Sequence, residues 1–183
     1  LEEFAGLFES KSEKADRVKA KVKHALLDPT SHLSLQLDSA LDNHVSGAFW
    51  NADEIYSGYA LRVEAEVNQA SYQDSDWQLD GLALWLIEHD PSVCTVEISV
   101  SVTVDLEVGV DFYQYDTIDH EEICMGSDEI TRQVTLNVEV FLLCHGDLFV
   151  ESVDEWEVDI EITGGEYLVE IGEVNPDYDD HEE

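Results

Sequence analysis

The chain has 183 residues, 44% of them hydrophobic, and a formal net charge of −35 at pH 7. That much apolar content excludes a disordered polyanion and fits one domain of ordinary size, or a small domain with an appendage. The charge excludes a nucleic-acid or anionic-membrane binder of the usual kind, because neutralising phosphates takes a cationic surface.

The charge is unevenly distributed. Residues 1–23 hold six of the eight basic residues, Lys11, Lys14, Arg17, Lys19, Lys21 and Lys23. From His24 onward two arginines, Arg62 and Arg132, stand against 38 acidic residues, a net −36 with no lysine. The three cysteines, Cys94, Cys124 and Cys144, form no CxxC and indicate no disulfide framework. The first residue is Leu1, so the sequence is expected to start partway through a longer protein. No signal peptide is visible and no apolar run approaches the roughly 20 residues that span a bilayer, so the expected location is the cytoplasm.

Residues 2–27 read as an amphipathic helical segment. Phe4, Leu7 and Phe8 share a face, and Ala15, Val18, Val22 and Leu26 follow at steps of three and four. A break is expected near Ser10–Ser12, with Ser12 as an N-cap, and Asp28-Pro29 ends the segment. A second helix is predicted over 31–46, with Leu33, Leu37, Leu41 and Val45 inward and Ser46-Gly47 as its stop.

Strand patterning then takes over, and the predicted sheet spans 56–172. Tyr59, Leu61, Val63, Ala65 and Val67 alternate with Arg62, Glu64 and Glu66, while the run Leu82–Ile87 is too short to classify. From Val96 to Phe112 every even position is apolar and every odd one polar or small, which has no helical reading. So long a strand is expected to bend or bulge, with Gly109 the natural place. A polar connection through Asp116, Asp119, Glu121 and Glu122 leads to a second long strand bearing Val134, Leu136, Val138, Val140 and Leu142. Gly146-Asp147 marks a turn, and Trp156, Val158, Ile160 and Ile162 alternate with Glu155, Glu157, Asp159 and Glu161. Gly164-Gly165 is a two-residue hairpin signal leading to Tyr167, Val169 and Ile171. The strands are one-faced, which predicts an α+β fold: N-terminal helices packed on a long-stranded, twisted, mainly antiparallel sheet with one wet side. The expected organisation is a helical segment over 1–28, an acidic α+β domain over 29–175 and an acidic tail over 176–183.

The candidate interaction face is acidic: Glu157, Asp159 and Glu161 at the roughly 7 Å repeat of alternate strand residues, with Asp105 and Glu107 on the long strand. Such rows serve equally as solvated, edge-protecting charge. The tail acids lack EF-hand spacing. His89, Cys94, His120, Cys124, Cys144 and His145 are zinc-competent but follow no finger or ribbon spacing, so no metal or other cofactor is expected. Phe49, Trp50, Tyr56 and Tyr59 form an aromatic group read as anchoring helix to sheet rather than lining a pocket. Serine-hydrolase, Walker and dinucleotide fingerprints are missing, and no residue is assigned a catalytic role.

In the order of these features the chain resembles the region that follows the nuclease domain in bacterial PIN-like proteins. The stretches that carry the likeness are Val96–Phe112 (VEISVSVTVDLEVGVDF), Glu129–Leu142 and Trp156–Ile171. The resemblance implies an accessory or regulatory module of a toxin or defence-type ribonuclease, lacking the acidic nuclease centre, which sits on a separate domain. The expected function is therefore a non-catalytic interaction module with a basic protein surface as partner, no direct nucleic-acid binding by the acidic domain and no membrane. Two alternatives are a stand-alone nucleic-acid mimic of the anti-restriction or anti-defence kind and an ordinary domain of a salt-adapted organism.

Self-repulsion among so many carboxylates is relieved when salt shortens the Debye length. Thermal unfolding in low and in about 0.5 M NaCl should show a gain of about 1–2 kcal/mol, a Tm rise of roughly 2–8 °C for a chain of this size.

Overall fold

Lys11–Leu27 forms the first helix, α1, whose Val18, Val22, Ala25 and Leu26 are buried at the three- and four-residue spacing of a single face. The computed structural model describes residues 11–176. The part of the expected helix that carries Phe4, Leu7 and Phe8, and the acidic tail from Asp177, lie outside the described residues.

The turn after α1 is built from side chains. Asp28 Oδ1 accepts from the Thr30 amide at 2.9 Å and its hydroxyl at 2.7 Å, and these bonds, the hydroxyl's first, hold the Asp28 carboxyl below its ordinary pKa. Ser31 then caps the second helix, α2, His32–Gly47. Its Oγ accepts the Ser34 amide at 3.0 Å and donates to the Ala25 carbonyl at 2.7 Å, so one buried hydroxyl starts α2 and closes the end of α1. Leu33, Leu37, Leu41 and Val45 form the buried stripe of α2.

Seven strands follow: β1 Phe49–Tyr56, β2 Arg62–Trp77, β3 Ala83–Leu86, β4 Val93–Asp116, β5 Glu121–His145, β6 Glu157–Ile162 and β7 Glu166–Glu173. Five of them make one sheet in the order β2-β4-β5-β6, with β3 also paired to β4. The fold is α+β, with the N-terminal helices packed on this mostly antiparallel sheet. No helix among the described residues is long and apolar enough to cross a membrane.

Burial on β4 alternates without a break. Every even residue from Cys94 to Phe112 is buried, so no bulge interrupts the strand at Gly109. The glycine has another reason: a Cβ there would meet Asn68 Nδ2 on β2 at 3.0 Å. β4 and β5 also run farther than the apolar pattern foretold. The polar connection shrinks to residues 117–120, where His120 takes a left-handed φ of 56° and the Ile118 amide donates to Asp116 Oδ1 at 2.7 Å. The unclassified run after Asp80 is a strand, with Leu84 opposite Val96 and Leu86 opposite Cys94.

Two expectations are corrected. The sheet does not begin near residue 56, because Phe49–Tyr56 is already a strand. Nor do Gly164 and Gly165 close a hairpin between β6 and β7. β6 pairs with β5, and β7 runs parallel to β1 as a separate two-stranded sheet, with Phe49 opposite Glu166 and Ala52 opposite Val169. Gly164 has φ 99°, a conformation that lets the chain leave one sheet for another, and the local turn signal carries no information on the partner strand.

The chain divides into two compact units. The first contains residues 1–44, 74–102 and 136–163, and the second contains 45–73, 103–135 and 164–183. In the first, Val96, Ile98, Val100, Val140 and Leu142 of the sheet are buried, as are Val18, Val22, Leu33, Leu37 and Leu41 of the helices. In the second, Trp50, Ala52, Ile55, Val169 and Ile171 turn inward from the two-stranded sheet, and Arg132 on β5 donates from Nε to the Ile171 carbonyl at 3.4 Å.

Removing the Ser31 hydroxyl takes the side-chain acceptor from the Ser34 amide and leaves the Ala25 carbonyl with only its bond from the Asp28 amide. Ser31→Ala should cost about 1–2 kcal/mol in urea unfolding with an unchanged slope, while Ser31→Asp, which keeps the acceptor but not the donor, recovers only part of it.

Candidate acidic interaction surface

In the first unit the period-two pattern of β6 turns Glu157, Asp159 and Glu161 outward, all three exposed, and Val158, Ile160 and Ile162 inward. β6 is an edge strand paired only with β5. The register sets Glu157 opposite His145, Asp159 opposite Leu143 and Glu161 opposite Phe141. The row therefore borders a half-apolar strip rather than a second row of acids. Among the described residues none of the three carboxylates has an ion pair or a side-chain hydrogen bond. One strand inward the polar side is tied together: Glu139 accepts from the Ser99 hydroxyl at 2.7 and 2.9 Å, and Ser101 donates to Asn137 Oδ1 at 2.8 Å.

Asp105 and Glu107 belong to the second unit, so the five acids picked out in the sequence form two groups, not one row. Asp105 is half-buried and accepts from Gln133 Nε2 at 2.8 Å; Glu107 is exposed. Pairing also gathers acids that alternation alone could not associate. Glu64 and Glu66 of β2, Asp111 of β4 and Asp128 of β5 line a cleft of about 540 Å³ together with Asn68 and Ser127. Arg62 binds Glu64, one of these lining acids, and also Glu122, and lies 5.6 Å from the centre of the Tyr113 ring. The Tyr113 phenol is raised by desolvation first and then by the charges of Asp111 and Glu64.

Lys11, Lys14, Arg17 and Lys21 of α1 have partners inside the first unit. Lys11 Nζ pairs with Glu88 at 2.7 Å, and that bond and charge hold the Glu88 carboxyl below its ordinary pKa. Lys14 and Arg17 lie 5.8 and 5.6 Å from the centre of the Phe149 ring. Lys21 donates to the carbonyls of Leu148 at 3.1 Å and Glu151 at 2.8 Å and sits 6.0 Å from the Trp156 ring. Lys14, Arg17 and Lys21 thereby fasten the segment between β5 and β6 to the helix.

The zinc-competent side chains do not converge: no group of three or more His, Cys, Asp or Glu among the described residues is arranged to hold a metal ion. Cys94 and Cys144, both buried, meet across β4 and β5, and the hydrogen bond between them together with burial pushes the Cys144 thiol above its ordinary range. Cys124 is exposed, and the His120 ring nitrogen Nδ1 sits 3.1 Å from the Tyr115 hydroxyl. The aromatic group divides. Trp50 anchors, donating Nε1 to the Val45 carbonyl at 3.0 Å and lying 4.8 Å from Tyr167, whereas Phe49, Tyr56 and Tyr59 are exposed.

No family model matches the chain, and no curated protein or solved structure gives a significant match.

The burial of the cysteines predicts their reactivity. An excess of maleimide should label one thiol per folded chain, at Cys124, and all three only in denaturant, because only the exposed site is accessible to the reagent. Mass spectrometry of the labelled peptides checks the assignment.

Proposed function

We propose that the chain is a non-catalytic interaction module that offers carboxylates to a basic protein surface. The observation that carries this reading is the row Glu157, Asp159 and Glu161, outward on an edge strand and without an ion pair among the described residues, in a unit whose Lys11, Lys14, Arg17 and Lys21 are engaged within the unit itself. A net −36 from His24 onward supplies a long-range field that attracts cationic partners and repels polyanions, which accelerates encounter as well as selecting the sign of the partner. The likeness to the PIN-associated region supports a place beside a nuclease, in a toxin or defence setting, where such a module would contact the basic surface of its companion without itself touching nucleic acid. A nucleic-acid mimic would use the same surface against a DNA- or RNA-binding protein. The roughly 7 Å repeat along β6 is about twice the phosphate spacing of a strand, which favours the first reading.

A lysine-rich peptide and a short DNA duplex serve as probes. The peptide should bind in low salt with an affinity that falls steeply as salt rises, and the duplex should not bind. The triple variant Glu157→Gln, Asp159→Asn, Glu161→Gln should lower peptide affinity by about three- to tenfold, consistent with loss of three screened surface interactions. Equal affinity of the variant and the parent chain would remove β6 as the contact, and binding of the duplex would reverse the reading.

A further inference from the structure

The outer side of the two-stranded β1/β7 sheet is unlike the rest of the acidic surface. Parallel strands are ordinarily covered on both faces, and two strands alone make a marginal sheet. Here the inner side is filled by Trp50, Ala52, Ile55, Tyr167, Val169 and Ile171, while the outer side carries Phe49, Asn51 and Asp53 from β1 and Glu166, Leu168 and Glu170 from β7. Phe49 is 75% exposed and Leu168 is 73% exposed. The register puts Phe49 opposite Glu166 and Asn51 opposite Leu168, so the two apolar side chains are diagonal neighbours on one face. Farther along, Tyr56, 57% exposed, stands opposite Glu173.

Around this apolar diagonal the charges are of one sign. Asp53 and Glu170 face each other at one end, Glu166 stands at the other, and no lysine or arginine belongs to either strand. A polyanion is repelled there, and a purely polar cation leaves the Phe49 and Leu168 side chains in water. The partner whose chemistry satisfies both features is an extended or helical protein segment that carries aliphatic side chains along one side and lysine or arginine beside them. We infer that the outer face of the β1/β7 sheet is a docking site for a basic amphipathic segment of a partner protein, held by apolar contact at Phe49 and Leu168 and selected by the ring of Asp53, Glu166 and Glu170. This rests on the reading of the chain as a module for cationic partners and adds where one such partner sits and why it must be amphipathic as well as basic.

The test uses the whole chain and two synthetic peptides of equal charge, each about 14 residues long as suits strand or helix recognition: one alternating leucine with lysine, the other serine with lysine. In about 0.3 M salt, where long-range attraction is screened, the leucine peptide should bind about tenfold more tightly than the serine peptide. Leu168→Ser and Phe49→Ser, both at exposed positions, should each abolish most of that preference, whereas Val150→Ser, at another exposed apolar position, should leave it intact. Backbone amide resonances of 49–56 and 166–173 should shift when the leucine peptide is added to the parent chain.

Binding of both peptides with the leucine preference unchanged in Leu168→Ser and Phe49→Ser, or amide shifts confined to other strands, would overturn the docking site and leave the cationic-partner reading standing. Failure of both peptides to bind even in low salt would bring down that reading, and the docking site with it. Self-association of the chain that Leu168→Ser abolishes would also overturn the inference, because a second copy would then be the occupant.

Discussion

The unbroken burial of one side of β4, ten side chains from Cys94 to Phe112, is the interaction on which the remaining structure depends. It runs through both compact units and gives each its interior: the helices close over the earlier residues, and the β1/β7 sheet has its inward residues in the unit that holds the later ones. Hydrophobic burial of this kind is non-directional and is not screened by salt, whereas the repulsion among 43 acidic residues is long-range and screened. The two are separated by geometry, since strand alternation sends carboxylates to water on the residues between those that pack. An acidic surface of this density is compatible with folding because the apolar half of the pattern has so few exceptions.

The basic residues have a local task within that arrangement. Lys14, Arg17 and Lys21 do little against the total charge, yet each engages the segment from Leu148 to Trp156 through ring faces or carbonyls. Lysine and arginine stems also cover apolar surface while their heads find acceptors. The placement of these three cations on α1 follows from what α1 touches.

Patterning in the sequence reached most of this where the contrast between successive residues was strong. Val96–Phe112, the α2 stripe and the β6 alternation could be read because apolar and charged residues alternate there without exception. It failed where the contrast weakens: at the end of β4 and the start of β5 apolar residues such as Tyr115, Ile123 and Met125 are exposed beside polar neighbours, so alternation gave no sign of a strand there. β1 was hidden because its outward side includes Phe49 and its inward side includes Ala52, which inverts the expected sign. Gly164-Gly165 showed that the chain turns, but the choice of β1 rather than β6 as partner depends on residues far away. The acids of β6 could be picked out as a row, whereas the gathering of Glu64, Glu66, Asp111 and Asp128 needed the strand register.

The pairing of β1 with β7 also orders events during synthesis. Phe49 meets Glu166, a partner more than a hundred residues later in the chain. Over that interval β2 to β6 are made one after another, and β1 with its aromatic side chains has no partner strand until β7 follows them. Contacts of such long sequence separation form late and are vulnerable to competing associations. The Asp and Glu residues that flank these two strands are therefore placed where they also discourage premature aggregation, a duty that ends once the C-terminal strand arrives.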